Sequence, residues 1–362
     1  MTNRLNDFIS CSFIIRDAQP RDIDDIFQLS SLLNTVNLPA DKSELEHVIA
    51  QSDTSFSLTE VNPTKRAFLF VLENEQGKVI GTSQIFAKHG TLESPHSYFE
   101  VNTDERYSET LNKYFKHQIL HLRQSFDGPS EIGSLVLDKD YRSSEQKLGR
   151  RLSFVRFLFM AMNKDLFSHR VIAELLPPLG PNFKSALWDA VGRKFTGLEY
   201  YEADMISRRN KEFISTLFPS QDIYVSLLPS CAQEVIGKIG KNSQGAAHLL
   251  SSIGFQYNQH VDPFDGGPHF EAARDNIKLI KEALNARLVS AEKIDSDSQS
   301  YRGLIGCFKP QNKAGKRFLS VMADYLYSSK SKKIALHPKS IERLDIDIND
   351  EVIIIDSKLC NI

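Results

Sequence analysis

The stretch of sequence that decides the fold is Glu131-Ile132-Gly133-Ser134-Leu135-Val136-Leu137, followed by Asp138-Lys139-Asp140-Tyr141-Arg142 and then by Gln146-Lys147-Leu148-Gly149-Arg150-Arg151-Leu152. The first run predicts an apolar β-strand, and the last opens a helix predicted over 148–162. A strand that runs into a helix N-terminus presents free backbone N–H groups and a partial positive charge. The basic side chains of the turn add full charges. This corner would suit a pyrophosphate, and a solvated surface turn is the alternative interpretation.

The first 200 residues alternate between apolar runs with strand character and runs with helical spacing. Strands are predicted at 13–16, 67–72, 78–86, 131–137 and 170–176, and helices at 20–33, 41–49, 148–162 and 182–191. The turn 73–77 joins the second and third strands into a hairpin. This order predicts an α/β fold, with a mixed sheet that carries helices on both faces.

The second half of the chain predicts a strand at 223–228, helices at 231–239 and 246–253, and a charged helix at about 271–291. The polar run 295–300 is the best candidate linker. Beyond it, four short apolar runs at 301–308, 317–326, 333–336 and 351–355 alternate with turn residues. We therefore predict two domains, residues 1–294 and a small β-rich C-terminal domain at 301–362.

Composition excludes several classes of protein. The 362 residues include 44 Lys and Arg against 46 Asp and Glu, a formal net charge of −2, which gives no reason to expect nucleic acid or an anionic membrane as partner. The four cysteines, Cys11, Cys231, Cys307 and Cys360, form no C-x-x-C pair, so neither a metal site nor a disulfide framework is expected. The N-terminus does not read as a signal peptide, and no apolar run reaches the ~18 residues of a membrane span. A cytoplasmic protein is expected.

The chain resembles the arginine N-succinyltransferase family, a branch of the acyl-CoA N-acyltransferases with a GNAT-type fold. The resemblance extends along nearly the whole chain and is carried by Phe70–Glu73, Glu131, Ser134–Leu135, Leu137–Asp138, Arg142, Leu152–Ser153, Arg156–Phe157, Val171–Glu174, Ala203–Asp204, Ile223–Tyr224, Ala232–Gly237, Gly254–Tyr257, Val261–Asp262, Phe264–Pro268 and Glu271.

The resemblance implies transfer of a succinyl group from succinyl-CoA to the α-amine of arginine, in arginine catabolism, with acyl-CoA as co-substrate and no permanently bound cofactor. It implies that a backbone N–H at Ser134 polarises the thioester carbonyl. It also implies an acyl-CoA site formed by Leu135, Val136, Leu137, Arg142, Gln146, Gly149 and Arg150. A homodimer or a pair with a paralogous subunit is a further implication.

The chain departs from the family pattern in two places that concern the chemistry. The pattern after the Ala232–Gly237 segment implies a proton-transfer histidine where this sequence has Gly240, and residues 175–178 read Leu-Leu-Pro-Pro where the family has Met-Arg-Gly. A positioned general acid or base contributes ~10²–10⁴-fold to a rate. Holding the amine beside the thioester can supply ~7–11 kcal/mol, so an acyltransferase without this histidine remains chemically reasonable.

Several other polar residues are candidates. Glu131 could act as a base through water, or be a solvated or ion-paired carboxylate; His260 and His269 could supply the missing proton relay. Glu174, Asp262 and Asp265 could pair with a cationic acceptor, because carboxylates bind guanidinium bidentately, and turn-capping is the alternative for each aspartate. His248 is predicted to be a surface or packing residue. Cys231 is predicted to be a packing residue, and a nucleophile for a ping-pong route is the alternative.

The leading hypothesis is therefore an enzyme, a CoA-dependent N-acyltransferase in which a neutral amine attacks the thioester directly. One alternative keeps the acyl-CoA site but changes the amine acceptor. The other is a non-catalytic subunit that pairs with an active paralogue.

Overall fold

The computed structural model describes residues 12–31, 38–180, 184–207, 211–312 and 317–360. The strands are β1 (Ile14–Asp17), β2 (Ala67–Glu73), β3 (Val79–Phe86), β4 (His96–Ser108), β5 (Lys113–Ser125), β6 (Ser130–Leu137), β7 (Arg170–Glu174), β8 (Ile223–Tyr224), β9 (Gln256–Val261), β10 (Pro268–Ala273), β11 (Leu284–Leu288), β12 (Gln299–Phe308), β13 (Phe318–Ser328), β14 (Lys333–Leu336) and β15 (Glu351–Asp356).

The helices are α1 (Ile23–Ser30), α2 (Lys42–Phe56), α3 (Leu148–Met162), α4 (Ala186–Ala190), α5 (Gly192–Thr196), α6 (Tyr200–Ser207), α7 (Glu212–Leu217), α8 (Ser230–Gln233), α9 (Gln244–Ser252), α10 (Lys278–Lys281), α11 (Pro338–Leu344) and α12 (Ser357–Cys360). The chain divides into two compact units. Unit 1 comprises Met1–Ala87, Ile132–Phe167 and Asp275–Ile362, and unit 2 comprises Lys88–Glu131 and Ser168–Arg274.

In unit 1, the β2–β3 hairpin lies between β1 and β6. Helix α2 covers β2 and satisfies two of its backbone groups, since the hydroxyls of Ser52 and Ser55 accept hydrogen bonds from the N–H groups of Leu69 and Ala67, each at 3.0 Å. Helix α3 returns over β3, where the Ser83 hydroxyl donates to a helix carbonyl at 2.8 Å. The β6–α3 connection predicted from sequence is therefore present, with the helix at the predicted bounds.

The C-terminal strands form a closed ring within unit 1. In the order β12-β15-β11-β14-β13 each strand pairs with the next, and β13 pairs back to β12. The ring includes β11, which precedes the predicted linker, so the boundary predicted at 295–300 falls inside it. It is also joined to the N-terminal sheet, because β13 pairs with β1 and the Asp17 carboxylate accepts hydrogen bonds from the N–H groups of Arg317 and Phe318. The structure therefore places 301–362 in the same unit as the N-terminus.

Unit 2 is built on a second run of paired strands. The first residues of β6 pair in parallel with β7, at Ser130↔Val171 and Glu131↔Ile172. Strands β7, β10, β9, β4, β5 and β8 then follow in that order, each antiparallel to the next. A core of buried apolar side chains packs beside them, with the Trp188 and Phe264 rings stacked 4.9 Å apart.

One element of this region was not predicted from the sequence, and another was predicted wrongly. The long β4–β5 hairpin was not predicted, because most of its side chains are polar and exposed and leave no apolar alternation to detect. The charged helix predicted at about 271–291 is instead the end of β10, the four-residue helix α10 and strand β11. Its charged residues are spaced like a helix face, but register with neighbouring strands decides the local structure.

Within the described ranges, no helix has both the length and the apolar character needed to cross a lipid bilayer.

Candidate active site

The central strand β6 is distorted at Ser134. Its φ of 49° lies in the left-handed region, although it is not a glycine and stands in the middle of a strand. Neighbouring groups of β3 hold the residue, since its hydroxyl donates to Gln84 Oε1 at 2.9 Å and its carbonyl accepts from Thr82 Oγ1 at 3.0 Å. A backbone strained in this way costs ~1–3 kcal/mol and is typical of functional sites. The oxyanion donor is predicted at this same residue.

The end of β6 runs directly into the predicted phosphate-binding turn. Leu135 is half-buried, whereas Val136 and Leu137 are buried. The Arg142 guanidinium folds back onto the strand end, where its Nε donates to the Leu137 carbonyl at 3.0 Å. This hydrogen bond therefore holds the end of β6 and the Arg142 side chain together.

The N-terminus of α3 completes this corner. Its N-cap residue, Lys147, has a left-handed backbone and makes no side-chain capping hydrogen bond. Gly149 and Arg150 lie in the first helical turn, and the Gln146 side chain accepts a hydrogen bond from Arg151 Nη1 at 3.2 Å. The predicted acyl-CoA residues of the turn are thus gathered around one helix start, where the macrodipole favours anions.

A buried arginine behind this strand was not assigned a role from sequence. Arg156 is 3% exposed, and its guanidinium donates to the Ser153 carbonyl and hydroxyl and, at 3.4 Å, to the Gly133 carbonyl. Burial lowers the pKa of this guanidinium to about 9. It still carries its charge at neutral pH, and therefore places a positive charge next to β6, just before Ser134.

Unit 2 contains a cluster of acidic side chains that we call the carboxylate cluster: Glu131, Glu174, Asp262 and Asp265. Glu131 is buried at the start of β6, and its Oε2 lies 2.7 Å from His89 Nε2. His89 is fixed by the backbone, since its N–H and C=O bond to Pro129 and Gly128, each at 2.9 Å. Loop and strand together hold this carboxylate–histidine pair in place.

Glu174 ends β7 and faces His269, the second residue of β10, across the strand pair. Glu174 Oε1 lies 3.5 Å from His269 Nε2. His96, the first residue of β4, stacks near both His269 and His89, with ring centroids 5.9 and 5.6 Å away. Strand register therefore brings together side chains that are far apart in sequence.

Asp262 and Asp265 shape the turn between β9 and β10. Asp262 Oδ1 accepts from the N–H groups of Phe264 and Asp265, at 2.7 and 3.2 Å, and Asp265 Oδ1 accepts from the N–H of Gly267 at 2.7 Å. Both aspartates thus cap the turn, as the alternative interpretation held. These turn bonds engage Oδ1 of each carboxylate, so a second role through Oδ2 is compatible with them.

The environments of the carboxylates push their pKa values apart. Burial alone would raise the pKa of Glu131, but the hydrogen bond and charge of His89 hold it below its usual value. Burial, and then the charges of Glu131 and Asp262, raise the pKa of Glu174 well above its usual value. The two carboxyl groups therefore differ in pKa, with Glu131 the stronger acid, and carboxyl groups whose pKa values are pushed apart are typical of acid–base sites.

Lys211 lies close enough to the carboxylate cluster to be affected by its charges. Burial alone would lower the pKa of Lys211, but the nearby charges of Glu174 and Asp262 raise it above its usual value. Burial, and then the charge of Asp262, raise the pKa of Asp265 well above its usual value. Among the residues that the structure describes, the four carboxyl groups of the cluster outnumber this lysine, so the cluster would favour a cation.

The structure separates the two histidines proposed as proton relays. His269 lies beside Glu174 in the carboxylate cluster, whereas His260 stacks on Tyr98 at 4.2 Å and contacts Asn258. Burial lowers the pKa of His269 to about 3, so its imidazole is neutral at neutral pH. His248 is exposed on α9, as expected of a surface residue. Cys231 is exposed on α8, so the packing role predicted for it is wrong.

Comparison with known proteins decides the family. The family model described as AstA, arginine N-succinyltransferase beta subunit, matches residues 13–279. The chain belongs to the arginine N-succinyltransferase family. It is 32% identical over 351 residues to an arginine N-succinyltransferase of Yersinia pestis, covering 94% of this chain and 97% of that protein. It is 34% identical over 275 residues to arginine N-succinyltransferase subunit beta of Pseudomonas aeruginosa, covering 75% of this chain and 80% of the relative.

A solved structure agrees with this assignment to the arginine N-succinyltransferase family. Arginine/ornithine succinyltransferase subunit AI from Pseudomonas aeruginosa matches with a TM-score of 0.79 at 26% identity, covering 96% of this chain and 99% of that one. The predicted family and the predicted fold class, a mixed α/β fold of the GNAT type, are confirmed.

The two predicted departures from the arginine N-succinyltransferase pattern contact each other. The Gly240 N–H donates to the Leu176 carbonyl at 2.9 Å. A Cβ atom at residue 240 would lie 2.5 Å from the Pro177 carbonyl oxygen and 2.9 Å from the Leu176 carbonyl oxygen. No side chain fits there unless the backbone moves, so the glycine and the Leu-Pro segment form one packed unit.

We predict that Gly240→Ala destabilises the protein. The added methyl group would be forced against the 176–177 backbone, and overpacking of this kind costs ~1–3 kcal/mol. Urea denaturation of the wild type and the variant at neutral pH measures the difference.

Gly245→Ala is the matched control, because a Cβ at residue 245 meets nothing within 4 Å and alanine favours the α9 helix by up to ~1 kcal/mol. Its stability should be unchanged or slightly higher. Equal stabilities for Gly240→Ala and the wild type would contradict the close backbone contact.

Proposed function

We propose that this chain transfers the succinyl group of succinyl-CoA to the α-amine of arginine. The observation that carries the proposal is its similarity to proteins named for that reaction, over 94% of this chain and 97% of the Yersinia pestis relative. Two features of the structure support it: the corner at the β6–α3 connection and the carboxylate cluster.

The acyl-CoA site proposed here lies in unit 1. The Ser134 N–H is the candidate donor to the thioester oxygen, and the left-handed φ of 49° changes the direction of the backbone groups at this point of β6. Leu135, Val136 and Leu137 would line the pantetheine arm. Arg142, Gln146, Gly149 and Arg150 would hold the pyrophosphate at the α3 N-terminus, which attracts anions.

The arginine acceptor would be recognised by the negative charge of the carboxylate cluster. Glu174, Asp262 and Asp265 are proposed to contact the cationic groups of arginine, since a buried carboxylate pairs most strongly with a planar guanidinium. His89 holds the pKa of Glu131 low, so this side chain is an ionised carboxylate. It can take the proton of the attacking amine, directly or through water. In the reaction the amine nitrogen bonds to the acyl carbon, the C–S bond breaks, and CoA leaves as the thiol.

It is itself a prediction that Gly240 replaces the proton-transfer histidine of the family. Its supporting observation is that the backbone contact at residues 176–177 leaves no room for an imidazole. Glu131 is then the candidate for proton transfer.

The direct test is release of free thiol from succinyl-CoA in the presence of arginine, ornithine, other amines and no amine. Ornithine belongs in the panel because the name of the Pseudomonas aeruginosa structure includes it. We expect release with arginine, and identification of N-succinylarginine by mass spectrometry.

Two other outcomes would replace this proposal. Release with a different amine only would assign a changed acceptor. Tight CoA binding with no release for any amine would indicate a non-catalytic subunit, a role consistent with the family description as a beta subunit.

Arg142→Ala should weaken CoA binding by about tenfold, because a hydrogen bond to a charged group contributes ~1.5–3 kcal/mol and 1.4 kcal/mol corresponds to tenfold. Calorimetric titration with CoA measures the loss. Lys164→Ala, which removes a 45%-exposed cation just beyond the other end of α3, should bind CoA normally. If both variants bind like the wild type, Arg142 is not part of the site.

A further inference from the structure

Three side chains of unit 2 converge in a way that the acyl transfer does not require. His96, Glu174 and His269 each offer one donor atom, and these atoms all lie within 4.8 Å of one another. Across the part of the chain that the structure describes, no other group of histidine, cysteine or carboxylate side chains approaches this closely in threes.

The separation of two of these donors is that of metal ligands. Zinc binds nitrogen and oxygen donors at ~2.0–2.2 Å, so two ligands of a tetrahedral ion lie about 3.4 Å apart. Glu174 Oε1 and His269 Nε2 are 3.5 Å apart. That distance is long for a hydrogen bond between them, and it matches an edge of the tetrahedron.

The His269 nitrogen also lacks any other use. His269 is 1% exposed, and its Nε2 has no hydrogen-bond partner among the described residues. A buried polar atom without a partner costs ~1–3 kcal/mol, so an unsatisfied nitrogen that points at a carboxylate calls for an explanation. An ion between the two would satisfy both.

The frame around the three donors is rigid. Glu174 and His269 are opposed residues of the paired strands β7 and β10, and His96 begins β4. Sites built on strands hold their geometry better than sites on loops.

We propose that His96, Glu174 and His269 bind one divalent metal ion of the zinc class. Two imidazoles and one carboxylate form a donor set that suits zinc, and three protein ligands leave a fourth position open to water or to another ligand. An ion in such a position polarises a bound carbonyl or lowers the pKa of a bound water. The metal site shares Glu174 with the acceptor site proposed above, so its test measures metal binding and not acyl transfer.

The test uses the full-length protein, freed of metal with a chelator and titrated with Co²⁺ as a spectroscopic probe. We expect one Co²⁺ per chain with the intense visible bands of a tetrahedral site, displaced by one equivalent of Zn²⁺. Absence of these bands in the wild type would overturn the proposal.

Variants assign the ligands. His269→Ala should weaken Co²⁺ binding by at least about 100-fold, because the loss of even an outer-shell partner costs 10–100-fold. Glu174→Gln removes the carboxylate ligand without changing its shape, and it gives the same answer should His269→Ala fail to fold. His121→Ala, which removes a histidine paired with Asp222 at 2.6 Å elsewhere in unit 2, should bind normally. Full-strength binding by Glu174→Gln, or equal losses in all three variants, would refute the assignment.

Discussion

The constraint on which the site depends is that the carboxyl groups of Glu131, Glu174, Asp262 and Asp265 lie close enough in unit 2 to shift one another's pKa values. Like charges repel in a medium of low effective dielectric constant, so ionising all four groups together is costly. Unequal surroundings resolve this conflict. His89 holds the pKa of Glu131 low, whereas burial, and then the charges of Glu131 and Asp262, raise the pKa of Glu174 well above its usual value. A bound cation would stabilise the ionised carboxylates.

The same constraint links the two proposals. A guanidinium and a divalent ion are both cations, and each would offset the excess of carboxylates. They differ in what else they need, because a metal requires the neutral nitrogens of His96 and His269 whereas a guanidinium requires only oxygens. His269 Nε2 has no hydrogen-bond partner among the described residues. This nitrogen is therefore the observation that favours a metal ion in addition to the arginine acceptor.

Packing around Gly240 bears on the position where the resemblance implies a proton-transfer histidine. The glycine and the Leu176–Pro177 backbone fit closely, because a Cβ atom at residue 240 would lie 2.5 Å from the Pro177 carbonyl oxygen. A histidine placed at residue 240 would collide with this segment.

The sequence predicted the central strand, the helix after it and the family, because apolar runs and helix starts are local signals. It also predicted Glu131, Glu174, Asp262 and Asp265 as candidates. It could not predict that Glu174 faces His269, since strand register joins residues about a hundred positions apart and leaves no local signal. The left-handed backbone at Ser134 was not predicted, because a serine does not mark such a conformation as a glycine would.

The most direct test of the central claim is infrared spectroscopy of the metal-free protein at neutral pH, which separates protonated from ionised carboxyl groups by their carbonyl stretch. We predict a protonated-carboxyl band in the wild type that loses intensity in Glu174→Gln and is unchanged in Glu100→Gln, where the pKa of the carboxylate is held low by the Arg123 hydrogen bond. A spectrum without such a band, or one that Glu174→Gln leaves intact, would contradict the account.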